Sequence, residues 1–317
     1  MNQGYVAVIA GGSSAERAVS LRSGEAIYRA LQEQGIPALW YDPQEQSLVD
    51  LPAQGVAHAF LALHGRGGED GRIQALLEEL RVPYTGSGVL ACALTIDKSR
   101  TKALWQGFGL PTAASCTLRQ AESGELLELP TSQPVNAAAV LDRLGGQVMV
   151  KPSQEGSSLG MSLADTAAEL TAAVRTAAYY DQQVLVEQLL SGPEYTVAML
   201  DGEPLPAIRV ETPRRFYDYA AKYEQDTTEY WCPAGLSEAA EQQVRQLARQ
   251  AFAAVDGYGW GRVDLMQDSA GQFQLLEVNT IPGMTEKSLV PMAAQQAGLS
   301  FGQLVTRILA GATVRRP

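Results

Sequence analysis

Two short apolar runs, Val263-Asp264-Leu265-Met266 and Phe273-Gln274-Leu275-Leu276, flank Asp268-Ser269-Ala270-Gly271 in the last quarter of the chain. Runs of this length around a turn of that composition commit the segment to an antiparallel β-hairpin. A hairpin then dictates which side chains share a face. With the turn centred on Ser269-Ala270, partner numbers sum to 539, so Arg262 opposes Glu277 and Asp264 opposes Leu275. Side chains alternate along a strand, which sends Arg262, Asp264, Glu277 and Asn279 to one side. Two carboxylates and an amide oxygen are hard donors of the kind that hold Mg²⁺ beside phosphate oxygens and water. An arginine next to them is placed to neutralise a transferring phosphoryl group. The same four residues also read as a solvated strand face, and a one-residue slip in register would scatter them to both faces.

Upstream, alternating strands and helices fill the first ~95 residues. Val6 to Ile9 reads as a strand, about Glu16 to Glu33 as a helix with Ala26, Ile27, Ala30 and Leu31 on its apolar face. Leu39 to Tyr41 and His58 to Leu63 read as further strands, and Gly71 to Leu80 as a second amphipathic helix. The expectation is a parallel α/β domain whose strand-end loops carry ligands. Glu16 falls at a helix start, a common structural place for glutamate, and His64 falls at the end of an apolar strand. A helix from about Lys98 to Phe108 follows, then a polar, Pro-punctuated stretch, Leu118 to Asn136, that reads as loop and variable helix. Val148 to Lys151 is a strand running into Pro152 and Glu155-Gly156-Ser157-Ser158-Leu159-Gly160. That loop suits phosphate oxygens approached by backbone amides and a lysine point charge, or an ordinary surface hairpin. Val184 to Leu190 is a strand, with solvated edge glutamates as its plainest reading. Glu211 to Tyr230 shows neither period, a length at which irregular loops are functional or disordered. Ser237 to about Val255 is a packing helix through Val244, Leu247, Ala248 and Ala251.

Several classes drop out. The net charge of −11 leaves no basic surface for general nucleic-acid or anionic-membrane binding. Gly156-Ser157-Ser158-Leu159-Gly160 matches a serine-hydrolase elbow, but that fold needs a histidine after the serine, and the two histidines are His58 and His64. No Walker lysine loop occurs, and Gly11-Gly12-Ser13-Ser14-Ala15-Glu16 lacks dinucleotide spacing. Cys92, Cys116 and Cys232 are widely spaced, as reduced cysteines of a cytosolic protein are. Met1 to Ser14 has no basic start, and no stretch reaches membrane-spanning length, so the expectation is a cytoplasmic protein.

Beyond the hairpin, Ile281-Pro282-Gly283-Met284-Thr285 leaves the strand through a fixed turn. The string Glu277 to Thr285, preceded by Gly259-Trp260-Gly261-Arg262-Val263-Asp264, resembles the metal and oxyanion segment of the D-alanine–D-alanine ligase family, in the ATP-grasp superfamily. His64-Gly65-Arg66-Gly67-Gly68-Glu69-Asp70-Gly71, Pro83-Tyr84-Thr85-Gly86-Ser87-Gly88, Asp97-Lys98, Lys151-Pro152-Ser153 with Glu155-Gly156-Ser157-Ser158, and Ala221-Lys222-Tyr223 resemble that family in its order. The likeness runs from about Ala7 to about Leu309.

The resemblance implies an α/β fold, α+β in its ATP-grasp part. It places a Rossmann-like, substrate-binding parallel domain at 1–97, a central ATP-grasp subdomain at 98–186, and a C-terminal one at 187–317 with a lid at about 211–230. It implies ATP-dependent joining of two D-alanines through an acyl phosphate, for peptidoglycan, cell-wall and cell-shape maintenance. By the same likeness Glu16 holds the ammonium group of the first D-alanine within a group that includes Ser157 and Tyr223, and His64 lies at that substrate. Lys98 and Lys151 go to the nucleotide phosphates, Lys222 to the γ-phosphate, and Glu187, Gln188, Leu189 and Leu190 to adenine. Glu194 reaches the ribose, and two Mg²⁺ (or Mn²⁺) fall to Asp264, Glu277 and Asn279. Arg262 and the Gly283 amide meet the oxyanion, and Ser288 and Leu289 meet the second carboxylate. A homodimer is implied as well. Departures are small: the family often has Glu where Ala220 or Ala221 stands and an aromatic near Leu189. Relatives that make an ester with D-lactate replace the Lys222-Tyr223 pair, so its presence favours a peptide. Another ATP-grasp carboxylate–amine ligase and a silent nucleotide-binding module are the alternatives.

Overall fold

The computed structural model describes residues 4–156, 158–212 and 228–314, and three sheets carry these described residues. Tyr5–Ile9 (β1), Ala38–Tyr41 (β2) and Val56–Leu61 (β3) form a parallel sheet in the order β2-β1-β3. Its strands are short apolar runs, as a sheet covered by helices requires. Arg17–Glu33 (α1) lays Val19, Ile27, Ala30 and Leu31 inward. It comes so close that a Cβ on Gly24 would sit 2.3 Å from Ala10 Cβ. Arg72–Glu79 (α2) adds Ile73 and Leu77. The parallel α/β expectation holds.

Val89–Thr95 (α3) and Lys98–Gly107 (α4) lead into a second, antiparallel sheet. It comprises Ser115–Gln120 (β4), Leu126–Leu129 (β5), Gln133–Pro134 (β6), Val148–Pro152 (β7), Ser162–Ala164 (β8) and Val184–Gln188 (β9), ordered β6-β5-β4-β9-β7-β8. The stretch read as loop and variable helix is therefore largely strand. Cys116 and Leu118 point inward while Arg119 is exposed, a period of two hidden by the charged turn Glu122-Ser123-Gly124. Ala137–Arg143 (α5) and Ala167–Ala178 (α6) cover this sheet through Val140, Leu170 and Val174.

The third sheet runs β13-β12-β10-β14-β15, from Glu194–Leu200 (β10), with Glu203–Pro204 (β11) off its edge, through Ile208–Glu211 (β12), Glu229–Trp231 (β13), Trp260–Gln267 (β14) and Phe273–Asn279 (β15). Glu238–Ala254 (α7) packs Val244, Leu247, Ala248 and Ala251 on it, joined by Trp105 of α4. Leu289–Gln296 (α8) and Phe301–Ala310 (α9) return to the first sheet, where Val290, Ala293, Leu304 and Ile308 share its core. The chain's two ends are thus cemented together, and the loops leaving β3 and β15 meet.

The hairpin forms with a different register from the one expected. Leu265 pairs with Leu275, but Asp264 pairs with Glu277 and Arg262 with Asn279, a shift that leaves Leu276 as an extra residue. A bulge of this kind restores on its far side the face that a regular ladder with the Leu265–Leu275 pairing would have lost. The four polar residues share one side for this reason.

Candidate active site

A cavity of about 940 Å³ opens between the first and third sheets. Glu16 reaches it from the start of α1, His64 from the exit of β3, Lys98 from the start of α4, and Arg262, Glu277 and Asn279 from the hairpin. Gly283, Ser288 and Leu289 close it from the turn after β15. An adjoining cavity of about 120 Å³ is lined by Lys151, Glu187, Gln188, Leu189, Leu190, Glu194 and Asp264. The two share Lys98, Glu155, Gly156 and Glu277 in their walls. Every candidate named from the sequence lines one or both, apart from Ser157, Lys222 and Tyr223, which lie outside the described residues with most of the lid.

Charges in this site are neutralised pairwise. Arg262 donates from Nε to Asp264 Oδ1 and from Nη2 to Oδ2, both at 2.8 Å, the bidentate geometry peculiar to arginine. Asp264 also accepts from Thr196 Oγ1 at 2.6 Å and from Asn279 Nδ2 at 3.0 Å. Glu277, across the ladder, is 3.2 Å from Lys98 Nζ. Lys98 in turn donates to the Glu155 carbonyl at 2.6 Å, tying the Gly-Ser loop to α4. In that loop Ser158 and Gly160 have φ of 58° and 69°, in the left-handed region.

Glu187 is buried between two ammonium groups, Lys102 at 2.8 Å and Lys151. Burial pushes its pKa up, but the charges of Lys102 and Lys151 together outweigh that and hold it at about 2. Burial lowers the pKa of Lys102, only partly offset by Glu187. For Lys151 burial also pulls down, yet Glu187, Glu277 and Glu194 together raise it. Lys102 was not singled out from the sequence. The available signal was a lysine three residues before Trp105, both fully buried on one face of α4. Glu69 was also missed as a site residue: burial, with the Glu16 charge second, raises its pKa to about 8. Ser288 keeps its hydroxyl within the turn, accepting from the Thr285 N–H at 3.0 Å.

Family models for the D-ala D-ala ligase C-terminus and N-terminus match residues 104–310 and 38–87. Among curated relatives, the D-alanine–D-alanine ligase of Idiomarina loihiensis is 53% identical over 97% of this chain and 96% of its own. The chain belongs to the D-alanine–D-alanine ligase family. The ligase of Pseudoalteromonas atlantica is 52% identical over 98% of this chain and 94% of its own. In three dimensions the chain is similar to D-alanine–D-alanine ligase from Bacillus anthracis, with a TM-score of 0.84, 30% identity and 97% of each chain covered. The ATP complex of the Bacillus anthracis ligase gives 0.81 at 28% identity, over 97% of each chain. VanG D-Ala:D-Ser ligase from Enterococcus faecalis gives 0.81 at 26% identity, over 97% of this chain and 98% of its own. The ATP-grasp architecture anticipated from the motifs is therefore this chain's fold.

Proposed function

We propose that the chain joins two D-alanines to D-alanyl-D-alanine, cleaving ATP to ADP and phosphate. The observation that carries the reading is a pair of adjoining cavities with Lys98 and Glu277 in their shared wall. The larger has room for two small zwitterions with phosphate groups beside them, and the smaller offers lysines and backbone to the rest of a nucleotide. The carboxylate of the first D-alanine attacks the γ-phosphorus, ADP leaves, and an acyl phosphate forms. The amine of the second then displaces phosphate, leaving an amide.

In this reading Glu16 holds the first ammonium group, with Ser157 and Tyr223 completing that group of side chains. Arg262 and the Gly283 amide stabilise the oxyanion, and Ser288 and Leu289 hold the second carboxylate. Lys98 and Lys151 meet the phosphates, Lys222 the γ-phosphate, Glu187 to Leu190 the adenine, and Glu194 the ribose. Asp264, Glu277 and Asn279 suit two Mg²⁺ or Mn²⁺: two carboxylates lie directly opposite each other across β14–β15, with an amide beside them. Bound there, the metal supplies neutralisation of the triphosphate. Arg262 and Lys98, now paired with those carboxylates, are cations that an incoming triphosphate can take over. The reading includes a central unit at 98–186, flanked by units at 1–97 and 187–317 with a lid at about 211–230, and a homodimer. It also includes a cytoplasmic place in peptidoglycan precursor synthesis. No helix among the described residues is long and apolar enough to cross a membrane.

Incubation with ATP, Mg²⁺ and each amino acid singly tests the assignment through phosphate release. D-alanine alone should sustain turnover. Release with a different amino acid, and none with D-alanine, would move the chain to another carboxylate–amine ligation.

A further inference from the structure

Gly283 sits in a turn that leaves β15 and is gripped on both sides by the N-terminal part of the chain. Before it, the Ile281 N–H donates to Glu69 Oε1 at 3.2 Å, and the other oxygen of Glu69 accepts from the Gly65 N–H at 2.8 Å. After it, the Met284 N–H donates to Ser23 Oγ at 3.1 Å. Pro282 has no N–H to offer. The Gly283 N–H, between these two ties, has no protein partner among the described residues, and Gly283 lines the large cavity.

We propose that Ser23 and Glu69 are positioning residues that aim the Gly283 amide at the reacting carboxyl group. This rests on the ligase reading given above. His64 belongs to the same device. Its Nε2 lies 3.1 Å from Ser23 Oγ. Ser23 Oγ accepts from the Met284 N–H, and with His64 in its neutral Nδ1–H tautomer the Ser23 hydroxyl donates its own proton to Nε2. Burial, the largest influence on His64, favours the neutral ring, while Glu16 and a backbone hydrogen bond to Ile281 pull the other way. Ser23 is fully buried, and its rotor has no freedom to serve as a surface hydroxyl. His64 thus acts on the reaction by orienting Ser23, and Ser23 and Glu69 by fixing the peptide planes on either side of Gly283. Two ties, from α1 and from the loop after β3, onto a turn 261 and 212 residues away make the oxyanion donor a property of the whole fold.

Ser23→Ala deletes one tie, and Glu69→Gln replaces one of two acceptor oxygens with a donor that opposes a backbone N–H. Each should lower kcat by about tenfold, less than deletion of an oxyanion donor costs, with KM for ATP within about twofold of wild type. Affinity for a phosphinate analogue of the tetrahedral intermediate should fall by the same factor as kcat/KM for D-alanine. Wild-type kcat and wild-type analogue affinity in both folded variants would overturn the proposal. So would an equal loss in ATP binding, or failure of both variants to fold, because either describes a merely structural tie. Absence of dipeptide from the wild-type protein would instead remove the ligase reading itself.

Discussion

Replacing Lys102 with methionine removes a buried ammonium group while filling the space of its aliphatic stem. Lys102 Nζ is 2.8 Å from Glu187 Oε2, donates to Thr112 Oγ1 at 2.5 Å, and lies 3.4 Å from the Leu275 carbonyl. It therefore joins α4, β9 and β15, and with them the second and third sheets. Removing one partner of a buried ion pair costs about 3–5 kcal/mol when the other charge is stranded. Here Lys151 remains on the other oxygen of Glu187, so about 2–3 kcal/mol is expected, within the range of a charged hydrogen bond. At roughly 2–4 °C per kcal/mol for a large domain, the unfolding midpoint should drop by about 4–12 °C. ATP affinity should weaken too, because Glu187 and Lys151 both line the smaller cavity. Calorimetry of wild type, Lys102→Met and Lys102→Arg, each with and without ATP, measures both effects. A methionine variant within about 0.5 kcal/mol of wild type, the ordinary range for surface substitutions, and with unchanged ATP affinity, would refute the role given to Lys102.

Three further outcomes are expected. Glu277→Gln and Asp264→Asn should each abolish turnover at saturating Mg²⁺ in a protein that still folds. Near wild-type turnover in either would end the two-carboxylate assignment. Glu187 is held at about 2 from an ordinary 4.5, so its stabilisation is complete above pH 4.5 and lost as pH falls through 2. The stability gap between wild type and Glu187→Gln should accordingly be full at neutral pH and shrink on acidification below 4.5. A gap that widened in acid would contradict the charge assignment. Tyr223→Phe should still form dipeptide and gain ester formation with D-lactate at low pH, where the competing amine is protonated. In the proposed site the lost hydroxyl would be worth one hydrogen bond, about 0.5–1.5 kcal/mol, and a direct competition of D-alanine with D-lactate reads the change.

What the sequence made legible follows from how local each signal is. Helices α1 and α7 and strands β1 and β3 announced themselves by apolar period, and the motif strings placed the residues of both cavities. The hairpin at 115–129 was missed because only Cys116, Leu118 and Leu126 mark its buried face, and polar and charged residues fill most of the rest. The β14–β15 bulge was invisible for a different reason. A register of 539 and the observed 541 around Asp264 have the same parity, so the face comes out right from a wrong pairing. Lys102, Glu69 and Ser23 could not be assigned from the chain alone. Their roles depend on Glu187, Ile281 and Met284, partners 85, 212 and 261 residues away, which only tertiary packing brings within hydrogen-bond reach.

The central claim is that a carboxylate is activated by phosphoryl transfer before the peptide bond forms. D-alanine carrying ¹⁸O in both carboxylate oxygens tests it in a single incubation with ATP and Mg²⁺. Attack on the γ-phosphorus followed by displacement predicts one ¹⁸O in each released phosphate and one in the new amide carbonyl. Phosphate free of ¹⁸O, with dipeptide still formed, would contradict the acyl phosphate and the assignment of the cavities that rests on it.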